Sequence, residues 1–132
     1  MSQRPATPKQ LLATLSQHLN VELQLENGIC ALFNNQDQEV CVIELLPQSS
    51  SAVLHCAITT DLPARDHYEQ LLKLNFQPDR LHGCWLALDA GDGLRLCTQY
   101  PVEFLTGHRF CQWVTGFIQQ VADTRQILAR PA

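Results

Sequence analysis

The sequence is short of charge, and of positive charge most of all. Only 17% of its residues are Asp, Glu, Lys or Arg, against a usual ~25%. Between Gln10 and Ala64 there is no lysine or arginine, while Glu22, Glu26, Asp37, Glu39, Glu44 and Asp61 all fall inside that stretch. A phosphate-backbone binder needs a basic stripe, so nucleic acid is excluded as a partner. The acidic half suits a basic or an apolar ligand better than an anion. No CxxC occurs, and the opening Met1-Ser2-Gln3-Arg4-Pro5 lacks the apolar core of a signal peptide. No apolar run approaches the ~20 residues that cross a bilayer. Cys30, Cys41, Cys56, Cys84, Cys97 and Cys111 each sit within apolar sequence. They read as small buried hydrophobes of a cytoplasmic protein and not as a disulfide framework.

Signatures of chemistry are missing too. Gly91-Asp92-Gly93 lies between two strand-like runs and matches neither a phosphate loop nor a dinucleotide fingerprint. His55 and Cys56 are adjacent, and neighbours on a strand point to opposite faces. His82 and Cys84 could share a face, which leaves a cysteine enzyme built on Cys84 as the last-ranked reading. No pair of close-spaced ligand pairs suggests structural zinc. The carboxylates are scattered, and His18, His67 and His108 read as surface or interface residues. The expectation is a protein that is not an enzyme and carries no metal or cofactor.

What is present is a well-patterned globular chain. With 132 residues, 45% of them hydrophobic, it forms one domain over 1–132 with one core. Thr7-Pro8-Lys9-Gln10 carries a capping box with proline at the first helical position, and Leu11, Leu12, Leu15 and Leu19 follow at helical spacing. Val21 to Glu26 alternates as a strand does. Asn27-Gly28 marks a tight turn into a strand Ile29 to Phe33. Val40 to Leu46 and Ala52 to Thr59 complete the early strands. A helix starting at Asp61 ends near Asn75, with Glu69 and Lys73 spaced for an i,i+4 pair. Cys84 to Ala90 and Leu94 to Tyr100 form a hairpin. Thr106 caps a final helix to about Leu128, striped by Phe110, Trp113, Val114, Phe117, Ile118, Val121 and Leu128.

The order is α-β-β-β-(β)-α-β-β-α. Links this short permit only an antiparallel arrangement, so the fold class is α+β: a twisted antiparallel sheet flanked by three helices. Val40 to Leu46 and Ile29 to Phe33 are apolar on both faces. A small antiparallel sheet usually keeps one face wet, so these strands need a second cover, from the chain's own helices or from another chain.

The second half resembles a known family. The segments Leu71-Leu72-Lys73-Leu74-Asn75-Phe76, Gly83-Cys84-Trp85-Leu86-Ala87-Leu88-Asp89 and Leu94-Arg95-Leu96-Cys97, with the helix Phe110 to Leu128, resemble the class I chaperones of bacterial type III secretion, the Tir-chaperone-like family. The first half agrees in element order and in its Asn-Gly turn. The resemblance implies a non-enzymatic cytoplasmic homodimer that binds the N-terminal region of a secreted effector in extended form and keeps it secretion-competent. By that analogy His67, Tyr68, Leu71, Leu72, Trp85 and Leu86 form the dimer interface. The effector groove is lined by Leu11, Leu12, Leu15, Ile29, Ala31, Phe33, Val42 and Ile43, some of which must face inward. Six cysteines are more than the family pattern suggests. The alternative is a dimeric ligand-binding or sensory α+β domain of YbjN-like topology, with a closed pocket and no unfolded client.

Overall fold

A computed structural model of the chain describes residues 6–58 and 67–129. Helix α1 (Pro8–Leu19) begins as its sequence dictates: the Thr7 hydroxyl accepts from the Gln10 amide at 3.1 Å, and the Gln10 side chain accepts from the Thr7 amide at 2.9 Å. It ends at Asn20, whose left-handed backbone turns the chain away. Strands β1 (Ile29–Phe33), β2 (Glu39–Glu44) and β3 (Ser51–Ala57) follow, then α2 (Tyr68–Asn75), a single turn α3 (Pro78–Leu81), β4 (Trp85–Leu88), β5 (Leu94–Pro101) and the long α4 (Gly107–Ala129). The five strands form one antiparallel sheet in the order β1-β2-β3-β5-β4. The part of the expected middle helix before Tyr68 falls partly on residues outside those described.

Two expectations change. Val21 to Glu26 is not a strand. Asn27 and Gly28 both have positive φ, the turn their sequence calls for, but the hairpin closes only the Glu26–Ile29 bridge. The alternation has another origin: Leu23 and Leu25 pack against the core from an irregular segment. The helix α3 was not foreseen; Pro78 stands at its first turn, where proline's missing N–H costs nothing.

The sheet has two unlike faces. Cys30, Leu32, Cys41, Ile43, Ala52, Leu54, Cys56, Leu86 and Leu96 point to one side and are buried. There α4 packs on β2 and β3, and α1 packs on α4, sealing Leu11, Leu15, Phe110 and Val114 completely. Thr106 caps α4 through the Arg109 amide at 3.1 Å. A buried amide ties the α3 turn to this helix: Gln120 donates to the Arg80 carbonyl and accepts from the His82 ring at 2.6 Å. That contact turns His82 toward α4.

The other face carries Ile29, Ala31 and Phe33 from β1, Val42 and Glu44 from β2, Val53, His55 and Ala57 from β3, Arg95 and Cys97 from β5, and Trp85 from β4. Apart from Val42, these are half-buried or exposed, Phe33 at 60%. The register slips by one residue where Leu32 faces Cys41 but Phe33 faces Glu39. The extra residue, Val40, packs on the core, and the slip turns Glu39 onto the open face beside Phe33.

Candidate functional site

The helix α2 and the edge strand β4 are joined by one side chain. Asn75 accepts from the Leu86 amide at 2.7 Å and donates to the Leu86 carbonyl at 3.1 Å. It thereby takes the place of a neighbouring strand and satisfies both edge-facing groups of Leu86. Asn75→Ala leaves those groups unpaired in a half-buried setting. The expected loss is about 2 kcal/mol, seen as a melting temperature lower by roughly 5–10 °C. An unchanged melt would refute this role.

Between α2 and β4 lies an apolar hollow of about 240 Å³, lined by Tyr68, Leu71, Leu72, Leu86, Leu88 and Leu94 among others. Leu71 and Leu86 form its buried floor, at 8% and 6% exposure, whereas Leu72 stands on its rim at 68%. Phe76, at the end of α2, is 89% exposed. The expected interface residues therefore divide. Tyr68, Leu71, Leu72 and Leu86 meet at the hollow, and His67 sits at the start of α2, its ring against Gln70. Trp85 leaves β4 on the opposite side and joins the open sheet face beside Cys97. Phe76 and Leu88 belong to the exposed apolar surface near the hollow but were not among the site residues read from the sequence. Their signal was present in the Asn75-Phe76 pair and in the alternation of β4.

The expected effector-groove residues divide as well. Leu11, Leu12, Leu15 and Ile43 lie in the monomer core, with 0 to 4% of each exposed. The leucine stripe of α1 is the surface that packs this helix into the core, so these four do not line an open groove. Ile29, Ala31 and Phe33 remain on the open face, with Val42 tucked among its neighbours at 8%. Ile29 turns its amide and carbonyl outward, where Glu26 takes both. Ala31 and Phe33, two and four residues on, present theirs to the same free edge.

The open face also holds a charged diagonal that no local pattern announced. Glu44 meets His55 at 2.8 Å, His55 accepts from Arg95 Nε at 2.9 Å, and Arg95 meets Glu39 at 2.7 Å. Asp89 lies 3.8 Å from Arg95. Its carboxyl is held below the ordinary range by the amides of Gly93 and Gly91, which shape the β4–β5 turn. These residues come from β2, β3, β5 and a turn, so only the pairing register brings them together.

The cysteine thiols are not activated. Burial pushes the Cys84 thiol up to about 11, and raises Cys30, Cys41, Cys56, Cys97 and Cys111 as well. Raised thiols are poor nucleophiles at neutral pH. His55 and Cys56 face opposite sides of the sheet, as expected. Among the described residues, no group of three or more His, Cys, Asp and Glu is placed to hold a metal ion. No described helix is long and apolar enough to cross a membrane.

A sheet sealed on one side by α1 and α4, open on the other, and edged by a helix-borne apolar hollow defines a protein-binding module. Residues 10–125 match the sequence model of the Tir chaperone protein (CesT) family. The chain belongs to that family, whose members are chaperones of type III secretion. No curated protein matches it in sequence. Solved structures share its fold at low identity. The chaperone–effector complex of SchA and HopA1 aligns at 19% identity and TM-score 0.71, over 89% of this chain and 92% of that one. The ExsC–ExsE complex aligns at 17% and 0.75, over 92% and 93%. The Yersinia pestis type III secretion chaperone SycH, solved with a stable fragment of YscM2, aligns at 20% and 0.65, over 93% and 100%.

Proposed function

We propose that the protein is a homodimeric, non-enzymatic cytoplasmic chaperone. It binds the N-terminal segment of a type III secreted effector in extended form and holds it ready for export. The observation that carries this reading is the open sheet face: Ile29, Ala31 and Phe33 stay exposed along the edge strand β1, and Trp85 stays exposed at the opposite edge. Exposed apolar side chains grouped along an edge strand mark a surface that a partner covers. An extended segment fits it best, because the free edge of β1 offers backbone groups and the face offers apolar ground for alternate side chains. The SchA and SycH structures, which share the fold, were solved with an effector and with a protein fragment respectively.

The second apolar surface is assigned to self-association. The hollow between α2 and β4 is ringed by Tyr68, Leu72 and Leu88. Apolar cavities of ~150 Å³ already accept a benzene ring, so this one takes a large side chain from a second copy. A two-fold axis there repeats each contact and closes the assembly at two chains.

Co-expression with the product of the adjoining open reading frame tests the reading. The expected product is a stable complex with two chaperone chains per effector, measured by light scattering, and truncation of the effector's N-terminal region abolishes it. A neighbour that stays unbound, or that binds equally well without that region, would overturn the reading.

A further inference from the structure

We infer that the segment seated on the open sheet face carries a basic residue, lysine or arginine, that pairs with Glu44. This rests on the open face being the effector-binding surface, and adds the chemistry that face selects. The charges on this face do not balance. Glu39, Glu44 and Asp89 line the diagonal with Arg95 as the cation among them. Arg95 is spent on Glu39 and Asp89. Strands β1 to β3 cannot supply another, because no lysine or arginine occurs between Gln10 and Ala64.

His55 does not complete the balance. Its Nδ1 accepts the Arg95 Nε–H at 2.9 Å, so the ring proton sits on Nε2 and is donated to Glu44 at 2.8 Å. The imidazole is neutral in this arrangement. A second proton on Nδ1 would displace the Arg95 contact and set two cations side by side. Glu44 is therefore a carboxylate with a neutral donor on one side and, among the described residues, no cation.

Its surroundings make it selective. Glu44 lies directly between Ile29 and Val53 across the strands, one row from Ala31 and Val42. A segment that covers these apolar side chains also removes water from the carboxylate. An uncompensated charge resists that removal, and a cation at the matching position relieves it. The same chemistry repels a segment with an acid there, so the face discriminates by charge as well as by shape.

The test uses three labelled fourteen-residue peptides of alternating valine and threonine, identical except for a central arginine, glutamine or glutamate. Fluorescence polarisation measures binding to the wild-type protein, to Glu44→Gln and to Phe33→Glu. Glu44→Gln is nearly isosteric and still accepts from His55. On the wild type, the arginine peptide is expected to bind about ten-fold tighter than the glutamine peptide, with the glutamate peptide weakest. In Glu44→Gln the three affinities should converge to within two-fold. An arginine preference that survives in Glu44→Gln, or equal affinities on the wild type, overturns the inference. Phe33→Glu should weaken all three peptides. If it weakens none, or if no peptide binds the wild type, the reading of the face fails and the inference falls with it.

Discussion

Leu72→Asp is expected to give a folded monomer. The side chain is 68% exposed in the single chain and stands on the rim of the hollow between α2 and β4. Its loss leaves no cavity, and an aspartate within α2 costs the isolated chain only about 0.5 kcal/mol of helix propensity. The assembly is affected differently. In a two-fold interface each substitution is present twice, and each removes roughly 2 kcal/mol of apolar burial. Two carboxylates must also be desolvated in an apolar seam. A combined cost above about 5 kcal/mol raises the dimer dissociation constant by more than ~10³-fold.

Light scattering at micromolar concentration checks this. The expected mass is that of one chain, with a far-ultraviolet circular dichroism spectrum unchanged. A soluble dimer would overturn the interface assignment. Phe76→Ser provides a second probe that does not insert a charge. Phe76 is 89% exposed at the end of α2, so truncation leaves the monomer intact and weakens the dimer less severely. Wild-type dimerisation in both variants would place self-association elsewhere.

The sequence disclosed the elements whose signals are local. The Thr7 capping box, the Thr106 cap, the Asn27-Gly28 turn and the Glu69–Lys73 pair, 3.1 Å apart, all stand where side chains a few residues away define them. The α+β class followed from short links, which forbid parallel crossovers. Val21 to Glu26 misled because alternation records which side chains meet a core and says nothing about whether the backbone finds a strand to pair with. The sites were harder still. A leucine stripe looks the same whether it packs a helix onto its own core or onto a client, and Leu11, Leu12 and Leu15 proved to be core. The Glu44–His55–Arg95–Glu39 diagonal spans up to 56 residues of sequence. It depends on the slip at Val40, which no periodicity reveals. One trace was visible beforehand: charged residues placed inside apolar strands need partners, and an alternating pattern marks where each one faces.

Phe33→Glu is expected to abolish effector binding while the fold survives. Phe33 is 60% exposed at the free edge of the sheet, the most exposed of the large apolar side chains on the open face. Covering a phenylalanine contributes roughly 2–3 kcal/mol. A glutamate there forfeits that contribution and adds a repulsion, because position 33 lies directly across from Glu39. Like charges facing each other across two strands are unfavourable, and a seated segment would strip both of water. The combined effect exceeds about 3 kcal/mol, at least a hundred-fold in affinity. In the unbound protein Arg95 compensates Glu39 at 2.7 Å and position 33 stays largely exposed at the edge, so the melting temperature should shift by only a few degrees. Phe33→Leu separates the two causes: it keeps apolar area without charge and should bind within about ten-fold of wild type. Titration of the purified effector segment by calorimetry, with thermal melts alongside, reads both quantities. An intact complex with Phe33→Glu would move the effector off this face. A Phe33→Leu variant as weak as Phe33→Glu would mean that ring shape, and not apolar cover, governs the contact.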